Sequence, residues 1–96
     1  MHIVVSWDIT DGAPPRSELS ESLKEAFAGH SWFRPLTTYY VIKADEAARL
    51  EIYEALLTVA EANPDRINFV VSPVMQGAYL GFLPQTSWDK INKRTL

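Results

Sequence analysis

Asp8 is the residue of this 96-residue chain best placed to do chemistry, because it is a carboxylate at the end of an apolar strand. The run His2-Ile3-Val4-Val5-Ser6-Trp7-Asp8-Ile9 is rich in β-branched and aromatic residues and reads as a strand. Its period of two sets Ile3, Val5, Trp7 and Ile9 on one face and His2, Val4, Ser6 and Asp8 on the other. An acid on a buried face needs a cation, a donor or water. Two such carboxylates brought together repel unless one takes a proton or a cation sits between them. An oxygen-rich pair suits Mg2+ or Mn2+, and such an ion can activate water for phosphodiester cleavage. The competing reading is a carboxylate that caps the loop donors of Asp11 and Gly12, or one that is simply solvated.

Arg16 and Arg34 are the candidates for holding phosphate. Arg16 stands near a helix start, where anions bind readily; a surface ion pair with a glutamate is the plainer alternative. The remaining polar residues promise less. Asp11 belongs to an Asp-Gly turn. His2 and His30 lack metal-ligand spacing, and His2 reads as a surface histidine at a strand end. Ser6 has no sequence neighbour that would make it a nucleophile. Tyr39, Tyr40 and Tyr79 could stack on bases, but the pattern of RNA-recognition sheets is missing, so packing is the better account of them. Gly77 and Gly81 would admit a bulge or a close neighbouring backbone.

The elements that must position these residues follow in order. Thr10 to Arg16, with its Asp-Gly and Pro-Pro pairs, is a loop. A helix starts near Ser17 as N-cap, carries Leu19, Leu23, Ala26 and Phe27 on one face, and ends at Gly29. A short arm at Trp32 to Arg34 precedes a bend at Pro35 and a longer strand from Leu36 to Lys43. Asp45 caps a second helix that runs to about Ala62, where Asn63-Pro64-Asp65 stops it. Further strands are expected over 66–72 and 76–82, and Pro84 closes the last. Trp88, Ile91 and Leu96 make the remainder too apolar for a free tail.

The order predicts a single α+β domain over 1–96: a ferredoxin-like β-α-β-β-α-β sandwich with an extra C-terminal strand. Its sheet is antiparallel, with both helices on one face. The other face carries unmatched apolar residues whichever register the strands take, and such a patch marks a partner surface. The simplest partner is a second copy in a two-fold homodimer, with 84–96 as an extension that packs on it. Two copies of Asp8 could then meet across the axis.

Composition bounds the rest. There is no cysteine, so disulfides, thiolate zinc sites and cysteine nucleophiles are excluded. No apolar run is long enough to span a bilayer and the N-terminus lacks a signal-peptide pattern, so no membrane partner and a cytoplasmic location are expected. The net charge of −3 argues against a strong, non-specific nucleic-acid binder. The charge is uneven: acids crowd 45–62, whereas Lys90, Lys93 and Arg94 close the chain with no acid after Asp89.

The chain resembles the CRISPR-associated spacer-acquisition endonuclease superfamily, which includes VapD-like ribonucleases, and within it the small stand-alone SinR-like members. The resemblance rests on Trp7-Asp8-Ile9 at the strand end, on Asp11 and Arg16, and on Thr37-Thr38-Tyr39-Tyr40-Val41-Ile42 in the place of a Gln-x-Ser-Val-Phe strand. It rests also on the arm from Trp32 to Leu36, on Met75-x-Gly77 before Tyr79, and on Gly81. It implies a ferredoxin-like homodimer in which Asp8 binds a divalent metal near the two-fold axis, and a metal-dependent endonuclease acting on RNA or DNA. It equally implies the non-catalytic homodimeric scaffold that some members form. The acidic helices, where basic ones are usual, and the replacement of the Gln and Ser by Thr37 or Thr38 and Tyr39 depart from the nucleolytic pattern.

Overall fold

The computed structural model describes residues 1–96. Its sheet has four strands: β1 (His2–Ile9), β2 (Trp32–Leu36), β3 (Tyr39–Lys43) and β4 (Ile67–Val71). The order across the sheet is β2-β3-β1-β4, and every neighbouring pair is antiparallel. Three helices accompany it: α1 (Arg16–Glu25), α2 (Glu46–Ala62) and α3 (Gln85–Thr95). This is an α+β fold, and no helix is long and apolar enough to cross a membrane.

The alternation expected of β1 is what fills the core. Ile3, Val5 and Trp7 face Leu23 and Phe27 at the end of α1, Ile52 and Leu56 of α2, and Tyr40 and Ile42 of β3. Rings dominate it: Trp7 stacks on Tyr40 at 4.5 Å between centroids, and Phe27 meets Trp32 edge-on at 5.6 Å. Asp45 caps α2 as expected, its carboxylate accepting from the Ala48 N–H at 2.8 Å. α1 begins at Arg16 after Pro15, with no side-chain cap, so Ser17 is already inside the helix. No glycine has positive φ, so Gly29 does not end α1 in a left-handed turn.

Two departures matter for function. The first is the hairpin. Pro35 lies inside β2 at a register shift between Phe33 and Leu36, and the chain reverses at Thr37 and Thr38 instead of at Pro35. A bulge absorbs a residue without an N–H. That leaves the reversal to two threonines whose strand propensity had pointed the other way.

The second is the C-terminal third. No strand forms over 76–82. Met75 exchanges two backbone hydrogen bonds with His2, and Ala78 then takes a φ of 90°, which carries the chain off the sheet. After Pro84 the chain is helical. Trp88, Ile91 and Thr95 recur at i, i+3 and i+7 as one stripe, and Lys93 and Arg94 occupy the last turn, where cations suit the helix dipole. α3 packs on β2 and β3 of its own chain, on the face opposite α1 and α2. The face expected to be bare is therefore half covered from within: Val41 is fully buried and Val4 nearly so. The segment 76–83 runs beside α3, where a Cβ at Gly77 would meet Leu96 at 2.8 Å, and it leaves Leu80 and Phe82 exposed. The glycine there serves a close approach, as its sequence context suggests, but the neighbour is a helix end.

His2, read from sequence as a surface residue, is fully buried beneath this segment. Its Nε2 and the Tyr79 hydroxyl are hydrogen-bonded to each other. Burial, reinforced by the charged N-terminus, lowers the His2 pKa below its usual 6.5. Burial and the neighbouring Tyr39 raise that of Tyr79. A histidine whose folded pKa is depressed binds its proton more tightly when unfolded, so its contribution is intact above pH 6.5 and is lost as pH falls below it. The melting temperature is expected to drop between pH 7 and pH 5.5, and His2→Gln to flatten that dependence. An unchanged slope in the variant would show that other groups set it.

Candidate functional site

The C-terminal end of β1, the start of α1 and the β2–β3 turn converge on an open groove of about 510 Å3. It is bordered by Asp8, Arg16, Ser17, Ser20, Arg34 and Thr38, with Trp7 and Tyr40 beneath. All three site residues singled out in the sequence meet there, although they come from β1, α1 and β2.

Each is positioned by a different device. Arg16 is the first residue of α1, and α1 is seated by Leu19 and Leu23, both buried against the sheet. A cation at the positive end of a helix is unfavourably placed; Asp11 offsets it with a 2.8 Å ion pair. This answers the ion-pair expectation, with Asp11 in the place of a glutamate. Arg34 lies on β2 on the same side as Trp32, by the alternation of the strand, and joins no ion pair. With the hydroxyls of Ser17, Ser20 and Thr38 the two guanidiniums form a donor-rich wall, in which Arg34 is the cation without an ion pair.

Asp8 sits at the lip of this groove. Its position alternates with Trp7, so its carboxylate belongs to the opposite sheet face, and it also borders a second depression of about 170 Å3 with Ser6, Asn68 and Val70. Asp8 is exposed, and its carboxylate accepts no hydrogen bond from Asp11, Gly12 or any other residue. The capping role considered for it is thus not the one it plays. This corner is the part of the second face that α3 leaves open, and Val70 there is 70% exposed. No group of three or more His, Asp or Glu side chains that could hold a metal assembles in the chain, and Asp8 is the one acid bordering either depression.

Sequence reasoning missed Arg66. Its guanidinium donates to the Thr10 carbonyl at 2.7 Å and to the Pro14 carbonyl at 2.7 Å, pinning the loop that delivers Asp11 and Arg16. A Cβ at Gly12 would lie 3.0 Å from that guanidinium, which is why a glycine suits the turn. No local pattern links a residue at the start of β4 to a loop more than fifty positions earlier.

Comparison with known proteins bears on the fold alone. No family model and no curated protein matches the chain. A solved structure, a hypothetical protein (MJ1052) from Methanocaldococcus jannascii, is similar over 95% of each chain with a TM-score of 0.59 and 15% sequence identity.

Proposed function

We propose that the protein is a ferredoxin-like member of the CRISPR-associated and VapD-like nuclease superfamily, acting as a divalent-metal-dependent endonuclease on RNA or DNA. One observation carries the reading: Asp8, Arg16 and Arg34, from three different elements, border one groove. Arg16 and Arg34 would bind the phosphodiester through charge-assisted hydrogen bonds. Asp8 would hold Mg2+ or Mn2+. The donor set fits a hard cation, since a carboxylate with Ser6 and Asn68 beside it offers only oxygen and amide ligands. When bound, the ion would supply Lewis-acid activation of water at the phosphate. One carboxylate is few for this task, and a second copy of the chain, docked at the open corner beside Val70, is the natural source of another.

A second reading has its own support. The lone carboxylate equally suits a non-catalytic homodimeric module that binds protein or nucleic acid by its surface without cutting it. The two separate cleanly in one experiment on the full chain with labelled RNA and DNA in Mg2+, Mn2+ or EDTA. The nuclease reading expects metal-dependent cleavage that Asp8→Asn lowers on the order of 100-fold or more, the several kcal/mol a catalytic metal supplies. It also expects a dimer by light scattering. Binding without cleavage selects the second reading, and cleavage indifferent to Asp8→Asn removes Asp8 from the site.

A further inference from the structure

The acidic chain keeps a concentrated, unneutralised positive patch on α3. Three ion pairs exist in the molecule: Arg16 with Asp11, Lys24 with Glu21 and Arg49 with Glu46. Lys90, Lys93 and Arg94 take part in none of them, and Asp89, the acid of α3, accepts instead from Gln85 at 2.9 Å. Lys90 and Arg94 are moreover drawn onto the same ring. The ammonium lies 5.1 Å and the guanidinium 5.9 Å from the centre of Phe33. Like charges four residues apart on a helix repel, and the ring holds both together. Arg94 Nη1 donates to the Lys90 carbonyl at 2.8 Å, while its Nε is buried with no partner. Two cations fixed side by side, with no carboxylate in ion-pair contact, suit a polyanion.

The location specifies which one. Phe33 and Arg34 are neighbours on β2, so the α3 cations and the groove lie on opposite sides of a single edge strand. That edge is unsuited to sheet extension, because Pro35 lacks an N–H and the register is broken there. A ligand reaching both sides must fold around one strand. A duplex, stiff over roughly 150 base pairs, does not bend so sharply, whereas a single strand does.

We propose that the β2 edge is a phosphate track for single-stranded nucleic acid: a strand held in the groove by Arg34 crosses β2 and lays its adjoining phosphates on Lys90, Lys93 and Arg94. The inference rests on the groove binding a phosphodiester and extends it to a substrate class and a path. Phe33 fixes the Lys90 and Arg94 cations in place.

The test is fluorescence anisotropy on the full chain in EDTA. The probe is a labelled uridine or thymidine oligomer of about 12 nucleotides, within the span of common single-strand sites. The double variant Lys90→Gln/Arg94→Gln is expected to weaken binding about tenfold near 50 mM salt and to reduce the slope of log K against log salt by about 1.4, near 0.7 per lost phosphate. Lys93→Gln, an exposed change, should lower the slope by about 0.7 even if the double variant folds poorly. Unchanged affinity and slope in these variants, with binding lost in Arg16→Gln/Arg34→Gln, would overturn the track and leave the groove standing. The reverse pattern would keep the α3 contacts and remove the groove. Tighter binding of a duplex of equal length, equal binding of polyglutamate, or no binding of any oligomer would each overturn the proposal.

Discussion

A chain ending at Pro84 is expected to lose cooperative unfolding. α3 buries Ile91, and it covers Phe33 and Val41 on the face that α1 and α2 do not reach. Wetting Val41, Phe33 and the residues under 76–83 forfeits roughly 1.5–3 kcal/mol for each large apolar side chain. The sum is on the order of 5 kcal/mol, comparable with the whole stability of a small domain. Segment 76–83 would lose its support as well, since Gly77 and Gly81 lie against Leu96 and Trp88, and with it the cover over His2. The measurement is thermal unfolding by circular dichroism with a hydrophobic dye added. Dye binding and a broad, shallow transition are expected. A melting temperature within about 5 °C of the full chain would mean that α3 contributes less than about 1 kcal/mol and that the face is self-sufficient.

That helix also marks where the sequence stopped being legible. The first 71 residues carry strong local signals: the alternation of β1, the Asp45 cap, the stop at Asn63-Pro64. They led to the correct elements within a few residues. Over 76–82 the residues are mostly apolar and bounded by Pro84, which reads as a strand, yet a strand needs an edge to pair with. The chain spends its pairing on one bridge at Met75 and turns away at Ala78. The stripe Trp88, Ile91, Thr95 was present in the letters, but it is short, and Pro84 reads as readily as the end of a strand as the start of a helix. The unmatched apolar face was a sound observation with a second solution: the chain covers half of it with its own tail before any partner is needed.

The site was legible as residue types and not as an arrangement. Asp8, Arg16 and Arg34 could be singled out because each carries charge beside an apolar element. Their convergence depends on the antiparallel order that brings the β2–β3 turn level with the end of β1, where Ser6 pairs with Tyr39. The burial of His2 under Tyr79 and the clasp of Arg66 on the loop at 10–14 are contacts across most of the chain, and no spacing rule reports those.

Phe27→Ala is expected to destabilise the protein by about 3–5 kcal/mol, the cost of emptying a large aromatic site. Phe27 lies just past α1, is fully buried, and is held among three rings: Tyr40 at 5.3 Å, Trp32 at 5.6 Å and Trp7 at 6.1 Å. Edge-on and tilted pairs of this kind add about 0.5–1.5 kcal/mol beyond burial. Stacked Trp7 and Tyr40 cannot close the hole without breaking their own contact, so little relaxation offsets the loss. At about 4–8 °C per kcal/mol the melting temperature should fall by roughly 15–30 °C. Phe27→Leu keeps most of the volume and should cost less than half as much. The pair also reports on the groove, because Leu19, Leu23 and Phe27 seat the helix that carries Arg16, Ser17 and Ser20. If the groove binds a nucleic-acid oligomer as proposed, Phe27→Leu should keep that affinity, while in Phe27→Ala it should fall in step with the folded fraction. Urea unfolding with both variants decides it: a loss below about 1 kcal/mol in Phe27→Ala would show that the rings repack, and that α1 is held by its two leucines alone.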